Sequence, residues 1–544
     1  MPSLNWIGKH AVVNHHKEIP FRLLKCRDDL SAGDPDSGNL LVQGDNLEAL
    51  KALLPYYAGQ VKCIFIDPPY NTGNEGWVYN DAVNSPEMRD WLGRVVGGES
   101  EDLSRHDKWL CMMYPRLALL RELLSEDGSL WMSIDDNEVH FARAVMEEVF
   151  GAQNFVSQIA WQKVYSVRMD AKGFSKDYDT LLVFQKSDKF HPRKIMFEQN
   201  KAQFSLFDEA AQRYYRRRSW RKEGSGSRRE DRPNLFYEIP TPDGSEVLPI
   251  RPDGSEGRWR GDMNHFNELD DAGQIEWVQA GDTWQIYVKQ YYIEGATQPP
   301  STVWLHEDSG NNHEAIEELK RIFGQAPFQT PKPVRLIQKI IQIASSPGDL
   351  VLDSFAGSGT TGHAVLKQNA EDGGNRRFIL VEMDTNIAPN ITAERLRRVI
   401  RGYTHRDQRG NERSEPALGG GFRFCDLGAT LFDPAGPIRK EVSYEELAQH
   451  IYFIETGSPL PRTGTKQYPL LGINNNQAVY LLYNGVLKDK SPQGGNVLTY
   501  AVLDTLPPHN GTMIIYGTGS RISDVRLDEM GIIFKQIPYE IKAN

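Results

Sequence analysis

The chain has 544 residues, too many for one ordinary core, so about two to four domains are expected. Hydrophobic residues make up 39% and charged residues 25%, the balance of a soluble globular protein, and no apolar run approaches the roughly 20 residues of a membrane span. The formal net charge of −11 argues against a nucleic-acid partner only as an average, because binding needs no more than a local basic face. The start of the chain lacks the basic-then-apolar pattern of a secretion signal. The four cysteines, Cys26, Cys63, Cys111 and Cys425, are far apart, so neither a disulfide framework nor a zinc site is predicted. That usage fits a reducing cytosol and a cytoplasmic protein.

Residues 1–37 show no clear period and read as an N-terminal extension. Leu40-Leu41-Val42-Gln43 is a short strand ending at Gly44-Asp45, and a helix follows over 46–57, with Leu47, Leu50, Leu53 and Leu54 on one face. Val61–Ile66 is the next strand, and it runs into Asp67-Pro68-Pro69-Tyr70. In an open parallel sheet the ligand crevice lies beyond the carboxyl ends of the strands, so Asp45 and Asp67 are expected at one rim. The four-residue turn offers a carboxylate, a stiff backbone carbonyl at Pro68 and a flat ring at Tyr70, parts that suit a planar amino-bearing ring. Residues 71–105 read as a mobile loop over that rim. A helix over 108–125, a strand over 128–135 and a further helix over about 137–150 follow. Two edge strands, 155–162 and 180–186, complete the first part. Asp135 and Asp136 read as a helix cap, and His106 and Lys108 as surface residues.

Periodicity fades from 190 to 325, where Arg, Trp, Tyr and Gly dominate. This stretch reads as an inserted module whose tryptophans form its core. Residues 213–232 hold nine Arg or Lys against three acids, with Tyr214, Tyr215 and Trp220 interleaved. Such a run is either a solvated loop or a segment that tracks phosphates, in which case Arg216, Arg217, Arg218, Arg221 and Lys222 carry the contacts.

The α/β pattern returns with a helix over 333–345, a strand over 349–353 ending at Asp353, and the turn Ser354-Phe355-Ala356-Gly357-Ser358-Gly359-Thr360 into another helix. Its glycines let the backbone approach a ligand, and the helix N-terminus behind them favours a carboxylate or phosphate. It lacks the Gly-Lys-Ser/Thr of a phosphate loop and the third glycine of the dinucleotide fingerprint. The next strand ends at Glu382, placed to accept ribose hydroxyls. Residues 405–421 read as a linker and 422–544 as a smaller α/β domain.

Asp67-Pro68-Pro69-Tyr70 followed downstream by Phe355-Ala356-Gly357-Ser358-Gly359, with Phe328, Lys332 and Pro333 just before the glycine turn, resembles the amino-directed DNA methyltransferases of the circularly permuted β group. The length of the insert, the extra C-terminal domain and the run Gly519–Asp524 resemble most the Mod subunits of Type III restriction–modification systems. The resemblance implies an α/β fold, a circularly permuted Rossmann-like methyltransferase sheet using S-adenosyl-L-methionine. Its first part would span 38–189 and its second 326–404, with a target-recognition domain at 190–325 and an interaction or dimerisation domain at 422–544. It implies that Asp67 and the Pro68 carbonyl accept the N–H bonds of an extruded base, with Pro69 stiffening the turn and Tyr70 stacking on the ring. Phe328, Phe355, Ala356, Gly357, Ser358 and Gly359 would line the cofactor pocket, with Asp353 either a turn residue or a cofactor contact. Lys332 and Thr360 would lie near the cofactor's amino-acid tail, Glu382 would take its ribose and Asp45 its adenine edge. No metal is needed. The partners implied are double-stranded DNA, a second copy of the chain and a Res-like restriction–translocase subunit. Adenine N6 is the expected target; N4 of cytosine, or a chiefly DNA-guiding role, is the alternative.

Overall fold

The computed structural model describes residues 4–71, 86–97, 104–167, 169, 171, 173–281, 283–407, 409–433, 438–439, 442–461, 468–483, 491 and 495–537. Apolar runs bounded by turns become the strands of one ten-stranded sheet. In chain order these are β1 (Arg22–Gly33), β2 (Leu40–Gln43), β3 (Val61–Ile66), β4 (Leu124–Ile134), β5 (Phe155–Gln162), β6 (Tyr178–Gln185), β7 (Val303–Trp304), β8 (Leu350–Asp353), β9 (Arg377–Glu382) and β10 (Gly421–Thr430). Their spatial order is β1-β10-β2-β9-β8-β3-β4-β6-β5-β7. The central strands β10, β2, β9, β8, β3 and β4 run parallel, while β1 pairs with β10, and β6 with both β4 and β5, in antiparallel fashion.

Helices cross over between the parallel strands. They are α1 (Asn46–Tyr57), α2 (Pro86–Val96), α3 (Arg105–Leu123), α4 (Val139–Phe150), α5 (Asn312–Phe323), α6 (Val334–Ala344), α7 (Thr360–Asp372) and α8 (Ala393–Arg401). Asp45 starts α1 by accepting from the Leu47 and Glu48 amides, and a Ser104/Asp107 capping box starts α3. The core between sheet and helices is built from Leu47, Leu50 and Leu54 of α1, Trp109, Leu117 and Leu120 of α3, and Ile64 and Ile66 of β3. From β3 the chain goes through α3 to β4 on one side, and from β8 through α7 to β9 on the other. The crevice of an open sheet lies at such a reversal. The register Ile64↔Leu352 brings the ends of β3 and β8 level there.

Several expectations change. The N-terminal extension contributes β1, a full edge strand of the main sheet. The expected 405–421 linker holds a hairpin, Tyr403–Arg406 with Glu412–Glu415, and leads into β10, so the sheet runs past the expected domain boundary at 422. Of the expected mobile loop over 71–105, residues 86–96 are helical, and residues 72–85 and 98–103 lie outside the described ones. Cys26 and Cys425 form a disulfide, against the expectation of none. Spacing could not reveal it, because they face each other across β1 and β10 from 399 residues apart.

Residues Lys194–Pro299 form a separate compact unit, narrower than the 190–325 expected for the insert. Its four-stranded antiparallel sheet is ordered 275–280, 283–291, 213–219, 206–208, and its core gathers Trp220, Ile239, Trp259 and Phe266. Trp304, expected in that core, lies instead on β7 of the main sheet near Trp131. The C-terminal region adds a four-stranded sheet of 470–474, 477–481, 512–517 and 532–536, with the helix Tyr444–Thr456 against it.

Candidate active site

Asp67 leaves the end of β3, and almost every group around its turn is anchored. The Trp109 indole N–H on α3 donates to the Pro69 carbonyl at 2.7 Å. The Tyr70 hydroxyl lies 2.6 Å from Ser133 Oγ at the end of β4 and 3.4 Å from Asp179 Oδ2 on β6, and burial pushes its phenol well above the ordinary value. Lys332 Nζ donates to Asp67 Oδ2 at 2.5 Å and sits 5.0 Å from the centre of the Tyr70 ring. Two acceptors stay open among the described residues. Asp67 Oδ1 is buried without a partner, and the Pro68 carbonyl receives no hydrogen bond among the described residues. A buried orphan acceptor costs about 1–3 kcal/mol, so the turn keeps an unspent demand for N–H donors.

The glycine turn leaves the neighbouring strand β8. Gly357 and Gly359 have φ of +50° and +78°, in the left-handed region. A Cβ at Gly357 would lie 2.8 Å from Phe328 Cζ, so the Phe328 ring closes one side of the cradle. The Gly357 amide donates to Glu382 Oε2 at 2.8 Å, and the Asp384 amide to Glu382 Oε1 at 3.0 Å. Asp353 accepts from the Phe355 amide at 2.9 Å and from the Thr361 hydroxyl at 2.5 Å, which makes it a turn-building residue. Burial pushes both carboxyls up to about 7. Behind the turn the fully buried Arg395 guanidinium reaches Ser358 Oγ at 3.0 Å and Thr360 Oγ1 at 2.8 Å, and pairs with Glu318 at 3.6 Å.

These residues fit a nucleoside with a charged tail. The backbone at Gly357 and Gly359 leaves no room for a side chain, Ser354 Oγ is buried without a partner, and α7 begins at Gly359 with no side-chain cap on its N–H groups. Lys332 ties the two halves together. Its carbonyl accepts from the Thr360 hydroxyl at 3.1 Å while its ammonium holds Asp67. It was expected at a cofactor tail; the structure puts its ammonium on the Asp67 turn. Both Asp45 oxygens are engaged within the protein, one capping α1 and the other pairing with Arg116 at 3.1 Å. His106 is no plain surface residue, because Nδ1 lies 2.6 Å from the fully buried Glu138. Trp109, Ser133, Asp179, Glu138 and Arg395 went unread in the sequence. The one available signal was the acid-rich run Asp135-Asp136-Asn137-Glu138 at the end of a strand.

Strand geometry sorts the basic run of the insert. Arg217 pairs with Glu276 at 2.5 Å and Arg221 with Glu223 at 3.6 Å, while Arg216 bonds Gln290 at 2.9 Å. Arg218 and Lys222 instead join Arg232, Arg258 and Arg260 around a cleft of about 490 Å³ floored by Trp220, with no carboxylate in its lining. Burial, and then the charges of Arg218 and Arg258, lower the Arg260 pKa.

Residues 61–394 match the family model described as DNA methylase. The chain is 32% identical over 413 residues to the Type III restriction-modification enzyme EcoPI Mod subunit of Escherichia phage P1, covering 70% of this chain and 63% of that protein. It is 33% identical over 431 residues to the StyLTI Mod subunit of Salmonella typhimurium, covering 76% and 62%. To the Type II methyltransferase M.KpnI of Klebsiella pneumoniae it is 31% identical over 369 residues, covering 65% and 82%. The matches therefore span a little under two thirds of the two Mod subunits. With that match over the sheet and both turns, the chain belongs to the DNA methylase family.

Proposed function

We propose that the chain is an S-adenosyl-L-methionine-dependent DNA methyltransferase that modifies N6 of adenine, and that it is the modification and sequence-recognition subunit of a restriction–modification system. The observation that carries this reading is the pair of acceptors, Asp67 Oδ1 and the Pro68 carbonyl, left open among the described residues beside Tyr70 and one strand away from the glycine cradle. The names of the Mod relatives support the choice of system.

An adenine amine inside a duplex is paired and stacked, so it must be extruded at a cost of a few kcal/mol. Tyr70 offers a face for the extruded ring, a contact worth about 1–3 kcal/mol. The amine nitrogen is a poor nucleophile while its lone pair is delocalised into the ring. Asp67 Oδ1 and the Pro68 carbonyl each accept one N–H, which favours a pyramidal nitrogen with its lone pair turned outward. The carboxylate also stabilises the positive charge that develops there. Gly357, Gly359, Phe328 and Glu382 would hold the cofactor, with Ser354 Oγ as a further polar contact. When bound, the cofactor supplies a methyl group on a sulfonium, already activated as a leaving group.

Among the described residues no helix is long and apolar enough to cross a membrane. In this reading the chain works in the cytoplasm on double-stranded DNA, as a homodimer, and associates with a restriction–translocase subunit. The basic cleft of the insert is the candidate contact for the DNA backbone. The test is to express the protein in a host free of DNA modification and map the modified bases. N6-methyladenine at one short motif, lost in Asp67→Ala, is expected. N4-methylcytosine would move the target to the alternative base, and unmodified DNA would sink the reading.

A further inference from the structure

Asn71, directly after Tyr70, is held more tightly than a turn needs. Its backbone is left-handed, with φ +56°, and its side chain is 2% exposed. The amide donates to Glu138 Oε1 at 2.5 Å and to the Arg105 carbonyl at 3.0 Å. Glu138 stands just before α4 and is fully buried. The same oxygen also meets His106 Nδ1 at 2.6 Å, while Oε2 is buried without a partner. His106 belongs to the first turn of α3 and lies against Phe141 of α4, with ring centres 4.9 Å apart. Trp109, one turn further along α3, holds the Pro69 carbonyl. Residues 69 and 71 are thus both fastened to the start of α3, the second through a buried carboxylate from α4.

Burying a carboxylate this completely is expensive, and two donors on one oxygen do not satisfy it. A structural turn could be closed by Asn71 and the Arg105 carbonyl alone. We propose that Glu138 and His106 form a clamp on Asn71 that sets the Asp67–Tyr70 turn in its transferring geometry, making all three positioning residues for methyl transfer. The two open acceptors lie upstream in the same turn. Their aim toward the amine depends on where Pro69 and Asn71 are fixed. A misplacement of about 1 Å at a reacting centre costs on the order of a hundredfold in rate.

This inference rests on the function proposed above. The test measures transfer of labelled methyl groups to unmodified DNA, alongside cofactor affinity by calorimetry on the DNA-free protein and the melting temperature. Asn71→Gly keeps the left-handed backbone accessible and removes only the amide. It should lower kcat ten- to a hundredfold while KM, cofactor affinity and melting temperature stay near wild type. His106→Ala should lower kcat likewise, and His106→Gln, which keeps a donor toward Glu138, should recover most of it. If both Asn71→Gly and His106→Ala turn over at the wild-type rate, or if kcat falls only in step with melting temperature and cofactor affinity, the clamp is wrong. Should Asn71→Gly not fold, the Ala/Gln pair at His106 decides alone. A wild-type protein that labels no DNA would refute the proposed function, and the clamp with it, whereas active wild type with active variants refutes the clamp alone.

Discussion

The glycine cradle gives the sharpest quantitative test, through Gly357→Ala. Two costs act at that position. At φ +50° an alanine pays about 1–2 kcal/mol for left-handed backbone. Its Cβ also meets Phe328 Cζ at 2.8 Å, and the Phe328 ring is wedged among Leu319, Ile387 and Ile391. Overpacking of that kind costs about 1–3 kcal/mol. The turn cannot slide away to relieve it, because the Gly357 amide is held by Glu382 and its carbonyl by the Thr392 hydroxyl at 2.6 Å. Gly373→Ala separates the two terms, since its φ is +67° and nothing lies within 4 Å of the added Cβ. Denaturant unfolding should show Gly373→Ala paying the backbone term alone and Gly357→Ala paying both. Calorimetry should show cofactor affinity unchanged in Gly373→Ala and about ten- to a hundredfold weaker in Gly357→Ala, the fold-change that about 1.4–3 kcal/mol would give. If Gly357→Ala matches Gly373→Ala in both assays, Phe328 does not wall the site and the cradle is misassigned.

Asp67→Asn should lower kcat by about 10²–10³, as expected when one preorganised charge-stabilising group is removed, with cofactor affinity nearly intact; radiolabel transfer and calorimetry check this. Arg116 is buried against Asp45, Asn46 and the Met112 carbonyl, so Arg116→Met should lose about 3 kcal/mol in urea unfolding. Burial raises Asp353 and Glu382 to about 7, so between their ordinary values and about 7 the folded state binds more protons than the unfolded one. Their contribution to stability is therefore present at low pH and is lost as pH rises toward about 7. Melting temperature of the cofactor-free protein should show this loss, and Asp353→Asn with Glu382→Gln should flatten it. Neutralising Arg218, Lys222 and Arg232 should weaken DNA binding and reduce the slope of log affinity against log salt by about 0.9 per lost phosphate contact, which titrations at several salt concentrations measure.

What the sequence could show follows from the range over which each signal acts. Asp67 and Glu382 stand at strand ends and Gly357 in the turn between a strand and a helix, so local pattern located them. The Gly357 turn, its helix and the strand to Glu382 appear in the structure as read. Partners brought together by tertiary pairing were out of reach. The β1–β10 pair joins residues 22–33 to 421–430, and with it comes the disulfide that spacing rules excluded. Composition marked residues 213–232 as one basic run, whereas strand alternation splits it. Arg217 turns to Glu276, and Arg218 turns to a cleft whose other walls, Arg258 and Arg260, come from a later segment of the insert, outside the basic run. His106 was misjudged because an exposed-looking histidine carries no local sign of the buried Glu138 it meets from the next helix.

The same geometry explains why two turns so distant in sequence can face one crevice. Parallel pairing of β3 with β8 sets their carboxyl ends side by side, and crossovers leaving in opposite directions keep helices away from the space above them. Adjacent strands lie about 4.8 Å apart, so Asp67 and Asp353 open onto one crevice whatever is inserted between β6 and β7. Close strands alone would not fix the relative height of the two turns. Lys332 does that, since its backbone is bonded to the first residue of α7 and its ammonium to Asp67. A shift of the glycine turn is therefore carried to the Asp67 turn through the Lys332 side chain. The insert enters the chain between β6 and β7, and neither of those strands carries a residue of the glycine turn or of the Asp67 turn. This arrangement lets the inserted unit vary in length and sequence while the distance between the glycine turn and the Asp67 turn stays set by one strand pair and one lysine.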